Sequence, residues 1–481
     1  MSLPATSIAK VSLMTTIVWF RQDLRLTDNP ALSNAVTAGA VLPIYILDDT
    51  VSRPMGSASK WWLHQSLNAI QASLDSLILR RGQPLPILTE LAQISGANAV
   101  YWNRRYDPDS ITKDKHIKRQ LESININVRT FNASLLNEPW QIATKSGTPF
   151  RVFTSYWKAA CARPLAKPLP SIMPFSVFKT DASENLKDWN LAPINPNWAT
   201  DWNNYWKPGE AGAQARLHDF LIFQLDGYGK QRDCLSLQAT SCLSAHLRFG
   251  EISPLQILTN VTDYVTKKPK LSDDKSKFLS QIGWREFSYH LLYHFPSLTK
   301  ENLRPAFDDY PWRVSPKDLK LWQKGKTGYP LVDAGMRELW KTGSMHNRVR
   351  MIVASFLVKH LRINWREGEA WFWDTLLDAD AANNPVSWQW VSGSGADAAP
   401  YFRIFNPVLQ ARKFDPHGNY IKRWCPELSA LDTKWIHAPW EASSTSLSNS
   451  GITLGTDYPL PMVAHTEARN AALHAYSTIR N

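Results

Sequence analysis

TIVWFRQDLRLTDNPALSNAVTAGAVLPIYIL (16–47) opens and closes on short apolar, β-branched runs, TIVWF (16–20) and VLPIYIL (41–47). Runs of this length and composition predict buried strands. Further along, the same texture returns at PILTE (86–90), AVYWN (99–103) and NVRTF (127–131). Helix-like stretches lie between, among them Ser59 to Leu79 and Asp109 to Leu121. Strands alternating with helices predict a parallel, Rossmann-like α/β sheet. No GxGxxG follows a strand, so this sheet carries no ordinary dinucleotide fingerprint.

Working outward from this core, residues 1–15 read as an N-terminal extension and 16–139 as the α/β domain. Pro164, Pro168, Pro170, Pro174, Pro193 and Pro196 break regular structure, so 140–209 reads as an interdomain linker that wraps a surface. From 210 to 481 the pattern is helical; in HNRVRMIVASFLVKHL (346–361), Val349, Ile352, Val353, Phe356 and Leu357 repeat at helical spacing. The chain of 481 residues therefore reads as an α/β unit followed by an all-α unit.

The 54 basic against 42 acidic side chains give a formal charge of +12, which favours a polyanionic partner such as DNA or RNA. Cys161, Cys234, Cys242 and Cys425 form no CxxC pair and no disulfide framework, which suits a reducing cytosol. No Cys/His cluster suggests a bound metal. No apolar run reaches membrane-spanning length, and the N-terminus lacks a secretory pattern, so a cytoplasmic protein is expected. The 22 tryptophans are far above the usual share; most read as core, and some as stacking or electron-transfer groups.

Unusual residues concentrate in three segments. In YGKQRDCLSLQATSCLSAHLRFGEISP (228–254), Thr240, Ser241 and Ser244 put hydroxyls near a helix start, where they suit either a pyrophosphate or a plain cap. QIGWREFSYHLLYHFP (281–296) sets Trp284, Arg285 and Glu286 side by side, either at a site or as a simple Arg–Glu pair. TGYPLVDAGMRELWKTGSMHNRVRM (327–351) and LLDADAANNPVSWQWVSGSGADAAPYFRIFNP (376–407) carry Arg350, Asp378 and Asp380, which are able to pair. The same stretches hold Asn347 and Asn384, amides that can bond a heteroaromatic edge, and SGSGADAAP, small enough for a flat ligand to approach.

These segments closely resemble the photolyase/cryptochrome family. WFRQDLRLTDNPAL (19–32), TGYPLVDAGMRELW, MHNRVRM, DADAANN, WQW and DAAPYFRIFNP occur in family order and at family spacing, and the match covers 16 to 475. The resemblance implies an all-α C-terminal domain that binds FAD, active in its reduced form. Tyr228 and the run Thr240, Ser241, Cys242, Leu243 and Ser244 would surround the phosphates. Arg285, Arg350, Asp378, Ala379 and Asp380 would make polar contacts beside the flavin, and Asn384 would face N5. Plant cryptochromes carry an acid there and animal ones often a cysteine, so Asn384 implies repair. Trp388, Trp365 and Trp312 match the family's electron-transfer chain. Trp284 and Trp390 match rings that sandwich a flipped dimer, Asn347 and Met351 match pocket residues, and Arg232, Arg348 and Arg403 match phosphate-holding cations. The implied activity is light-dependent repair of cyclobutane pyrimidine dimers in UV-damaged DNA by a monomer with no obligate protein partner.

Two positions depart from the pattern. Dimer-specific relatives usually carry a glutamate where this chain has Gln281, a feature shared with relatives that repair (6-4) photoproducts. Those relatives, however, place histidines where Asn347 and Met351 stand. In WNRRYDPDSITKD (102–114), Asp109-Ser110 replaces the Asn-Glu of the enterobacterial folate-binding type. Trp61, Trp62 and Arg105 are candidates to line another antenna pocket, with folate expected over deazaflavin. The rival reading is a cryptochrome photoreceptor, against which stands the end of the chain at Asn481 with no signalling tail expected.

Overall fold

The computed structural model describes residues 14–74, 76–398 and 402–479. The expected extension over 1–15 lies mostly outside them. Five strands, β1 (Met14–Phe20), β2 (Gly39–Leu47), β3 (Ile78–Arg81), β4 (Ala99–Asn103) and β5 (Asn127–Phe131), form one sheet in the order β3-β2-β1-β4-β5. Every pairing is parallel, and Ile17 on central β1 stands opposite Leu42 on one side and Val100 on the other. All three side chains are fully buried, as expected for a parallel sheet covered on both faces. The covering helices are α1 (Pro30–Ala38), α2 (Ser57–Ser73), α3 (Pro84–Ser95) and α4 (Pro108–Ser123).

Two expectations need correction. PILTE is not a strand but the start of α3, with proline at its first position and Gly96 closing it in a left-handed conformation. Ile87, Leu88, Leu91 and Ala92 are its buried face, at helical spacing. The helix expected to reach Leu79 ends at Ser73, and β3 follows. Its last two residues, Arg80 and Arg81, pair with Glu90 and Asp49, so half of this strand looks like solvated helix surface in the sequence.

The stretch 140–209 divides: the helix Phe153–Cys161 packs on the helix Ser272–His294, and the chain near 176–178 lies along the sheet. Val41 N donates to Ser176 O (2.9 Å) and Phe178 N to Val41 O (2.8 Å). Leu186, Trp189, Leu191, Trp202 and Trp206 are buried in the same apolar cluster as Trp61, Trp62 and Leu67 of α2. Beyond Glu210 the described residues form helices; Val349, Ile352, Val353, Phe356 and Leu357 are all buried in the largest apolar cluster, as their spacing requires.

The loop after β1 bolts the α/β unit to the helices. Leu24 N donates to Phe249 O (3.1 Å). Arg25 is buried and spends its guanidinium on backbone carbonyls: Gly250 O (2.8 Å), Ala133 O (2.8 Å) and Asp28 O (2.6 and 3.1 Å). Gly250 has φ 67°, and a Cβ there would lie 2.0 Å from Gln22 O, so only glycine permits this approach. Removing Arg25 orphans three buried carbonyl groups, at about 1–3 kcal/mol each. Arg25→Met should therefore lower the melting temperature by several degrees and open the 20–29 loop to protease, whereas the exposed Arg163→Met should do neither. Equal melting of the two variants would contradict this role.

Candidate active site

The helix Asn383–Ser392 carries the central residues. Asp380 anchors its start: Oδ1 accepts from Ala382 N, Asn383 N and Asn383 Nδ2, and Oδ2 accepts from the Tyr289 hydroxyl (2.5 Å). Asp380 thus does not pair with Arg350. Asp378 does, through two parallel bonds of 3.0 Å, while Arg350 Nε donates to Met345 O. Asn384 is buried. Its Nδ2 donates to the Glu369 carbonyl (3.0 Å) and to Glu369 Oε1 (2.7 Å), which commits both amide hydrogens. Its Oδ1 accepts no hydrogen bond from a described residue and is left to receive a donor.

The chain around Thr240 is a sharp turn: Cys242 has φ 51°, a strained value for a residue with a side chain. Thr240 Oγ1 touches Cys242 Sγ at 3.6 Å, while the hydroxyls of Ser241 and Ser244 bond to no described residue. The short helix Ser244–Phe249 has no side-chain cap, so the serines are not spent as helix caps. Tyr228 and Leu243 are buried behind the turn, and the Ala379 carbonyl accepts from Arg248 Nε (2.6 Å). Free hydroxyls on a strained turn, with an uncommitted amide oxygen at Asn384, fit the phosphates and the N5–H edge of a reduced flavin.

Trp388 follows Asn384 by one helical turn, on the same face. Its ring lies over Gly368, where a Cβ would come within 2.1 Å of it. Gly368 belongs to the helix Trp365–Thr375, one turn after Trp365, so glycine is what lets Trp388 close on that helix. Trp388 and Trp365 are buried, and Trp312 is half-buried against Tyr310 (4.4 Å). Burial thus falls off from Trp388 and Trp365 toward Trp312. Trp365 Nε1 donates to Asn302 Oδ1 (2.9 Å).

Trp284 stacks face to face on Phe153 at 3.9 Å, which backs one side of its ring. Trp390 Nε1 donates to Asp397 O, and its ring lines a small cavity with the exposed Arg403. Gln281 Nε2 donates to Lys277 O (3.2 Å) and Ser280 Oγ (3.0 Å) on its own helix. Asn347 is exposed, with Met351 one turn on. Arg232 and Arg348 both reach Asp233, at 3.8 and 2.7 Å. SGSGADAAP runs into residues 399–401, which lie outside the described residues.

With this geometry in place, two family models match: one described as DNA photolyase over 16–174, the other as the FAD binding domain of DNA photolyase over 278–478. The chain belongs to the photolyase/cryptochrome family. It is 48% identical to a deoxyribodipyrimidine photo-lyase of Agrobacterium fabrum, covering 96% of this chain and 98% of that protein. It is 39% identical to Cryptochrome-2 of Arabidopsis thaliana, over 97% of this chain and 79% of that protein. The crystal structure of a class III photolyase from Agrobacterium tumefaciens superposes with a TM-score of 0.96 at 47% identity, covering 99% and 100% of the two chains.

Within this family framework, several contacts were not legible in the sequence. Glu369 holds the Asn384 amide, Asp233 bridges two expected phosphate ligands, Phe153 backs Trp284, and Phe372 and Trp322 flank Trp388 at 5.0 and 6.3 Å. Apart from the neighbours Arg232 and Asp233, each joins residues from separate elements, so no local spacing announces it. Trp61 and Trp62 are a correction. Both are core: Trp61 packs edge-on against Trp202, and Trp62 Nε1 donates to the buried Glu251. Trp61 and Trp62 are therefore too buried to line a pocket.

Arg285 and Glu286 also act structurally. Arg285 Nη1 donates to Ser134 O (2.7 Å), and Glu286 Oε2 accepts from Leu136 N (2.7 Å), which ties the segment after β5 to the helix Ser272–His294. Burial pushes the Glu286 carboxyl up to about 7, against the opposing pull of Arg285 and the backbone N–H of Leu136 and Asn137. The folded state therefore holds this proton more tightly than the unfolded chain. That stability is complete below about 4.5 and is lost as pH rises through about 7. Glu286→Gln keeps an acceptor and removes the titration. Between those pH values the wild type should lose melting temperature relative to the variant, and parallel profiles would contradict the assignment.

Proposed function

We propose that this chain is a light-driven DNA repair enzyme that splits cyclobutane pyrimidine dimers, with reduced FAD as its working cofactor. The observation that carries the reading is the Asn384 amide. With both hydrogens held by Glu369, it offers N5 an acceptor alone, which matches the N5–H of a reduced flavin. A site built for the reduced state suits electron donation better than photoreception. The reduced flavin, when bound, supplies on excitation the electron that lets a dimer radical anion open by itself. Ser241 and Ser244 would hold its phosphate oxygens, Arg350 and Asp378 would lie at its edge, and Trp388, Trp365 and Trp312 would carry electrons inward from the surface when it is oxidised. Trp284 and Trp390 receive the flipped lesion, whose extraction costs a few kcal/mol and less where stacking is already damaged.

Arg232, Arg348 and Arg403 hold the DNA backbone, and Asp233 keeps the first two ordered until phosphates compete for them. The (6-4) alternative needs an acid to protonate a leaving group, and Asn347 and Met351 supply none. For the antenna, folate is favoured over deazaflavin. Arg105 and Arg248 each keep a buried guanidinium nitrogen without a partner among the described residues, and both lower the pKa of Tyr45, which burial raises to about 12. Two such cations beside an aromatic ring suit the carboxylates of a folate. The protein is read as a monomer of the cytoplasm, where four free cysteines suit reducing conditions.

Photorepair of both lesions by reduced wild type and Gln281→Glu, read by chromatography of the restored bases, tests the substrate. Cyclobutane dimers should be repaired by both proteins, with equal or better yield in the variant, and (6-4) products by neither. Robust (6-4) repair by the wild type would overturn the assignment. For the electron path, Trp365→Phe should abolish photoreduction of oxidised FAD while chemically reduced variant still repairs dimers. Loss of both together would make Trp365 structural.

A further inference from the structure

Glu369 sits on the helix Trp365–Thr375, but its charge is answered from the α/β unit. Arg53, in the loop before α2, donates from Nη1 to Glu369 Oε1 (2.9 Å) and from Nη2 to Oε2 (2.6 Å). Its guanidinium lies 3.9 Å from the centre of the Trp373 ring, and Trp373 Nε1 donates to Pro54 O (2.9 Å). One turn of chain further, Ser57 N and Oγ both donate to Asp374 Oδ1 (2.8 Å each). A Cβ on Gly56 would fall 2.0 Å from Trp373 O, so this loop lies directly on the helix. The loop is thus built to deliver one cation to one carboxylate.

We propose that Arg53 is a positioning residue of the flavin site, acting through Glu369 on the Asn384 amide; this rests on the reading of Asn384 as the group that faces N5. A bidentate guanidinium fixes the plane of a carboxylate and answers its charge. An ionised Glu369 only accepts, so it must take the Asn384 NH₂ and leave Oδ1 toward the flavin. Without Arg53, Glu369 is an uncompensated negative charge beside a cofactor that becomes more negative on reduction, and its carboxylate is no longer fixed in the plane that takes the Asn384 NH₂. The α/β unit thereby sets the redox balance of a cofactor that the helical unit holds.

The test is an equilibrium redox titration of the FAD-loaded full chain against a reference dye. The proteins compared are wild type, Arg53→Met, Arg53→Lys and Asn384→Ala. Arg53→Met should lower the ratio of reduced to oxidised flavin at a fixed poise by roughly five- to tenfold, the scale of one ordinary hydrogen bond. Arg53→Lys, which keeps the charge and loses the fork, should fall between it and wild type, and Asn384→Ala should shift in the same direction. If Arg53→Met does not fold or load FAD, Arg53→Gln takes its place with the same expectation. A shift in Asn384→Ala with none in the Arg53 variants would overturn the role of Arg53 and leave Asn384 at N5. A shift in Arg53→Met with none in Asn384→Ala would overturn the route through the amide. No shift in any variant would remove Asn384 from N5 and the inference with it.

Discussion

The buried guanidinium of Arg25 holds the backbones of three distant segments at once: the loop after β1, the chain after β5 and the turn at Gly250. Burial disfavours its charge, and nearby Asp28, Asp23 and Glu210 sustain it. A charge kept in such a place fixes geometry more than it adds stability. The turn at Gly250 ends the helix that follows Thr240 to Leu243, so the strained turn read here as a phosphate site is registered against the sheet. Glu286 ties the segment after β5 to the helix of Trp284 in the same way. Ser57 with Asp374 and Arg53 with Glu369 lock the opposite side. The cofactor cradle belongs to the helices, but its position is dictated by the loops of the sheet.

That division explains what the sequence revealed. β1, β2 and β4 were legible because a central parallel strand must be apolar on both faces, and the edge strand β5 through its alternating β-branched Val128 and Thr130. β3 was not, since four residues ending in two paired arginines leave too little apolar signal. PILTE has the apolar content of a strand, and only Pro84, at the first helical position two residues before it, and the later Leu91 and Ala92 mark the helix. In the site, Asn384 and Trp388 stand one turn apart, and Asp378 and Asp380 flank the same helix start, so motif and geometry agree. Glu369 and Arg53 are 316 residues apart in the chain, and no pattern of local spacing can join them.

The chemistry follows a consistent sign. On the proposed reading, the Asn384 oxygen is the acceptor offered to the flavin, the hydroxyls of Ser241 and Ser244 are for phosphates, and Arg232 and Arg348, moderated by Asp233, are for a polyanion. Gln281 spends both amide hydrogens within its own helix and must exchange one of them for any bond it donates to a lesion. Its contribution is therefore a difference between two similar hydrogen bonds, small beside the electron itself.

The central claim is that light moves one electron from reduced flavin to a dimer and back, with no net change in the protein. Single short flashes on fully reduced, FAD-loaded protein saturated with dimer-containing DNA test this directly, with flavin and thymine absorbance followed together. The account predicts that thymine absorbance rises with each flash while the flavin returns every time to its reduced spectrum. A flavin that stays oxidised after the flash, with no thymine recovered, would contradict repair and favour a light sensor.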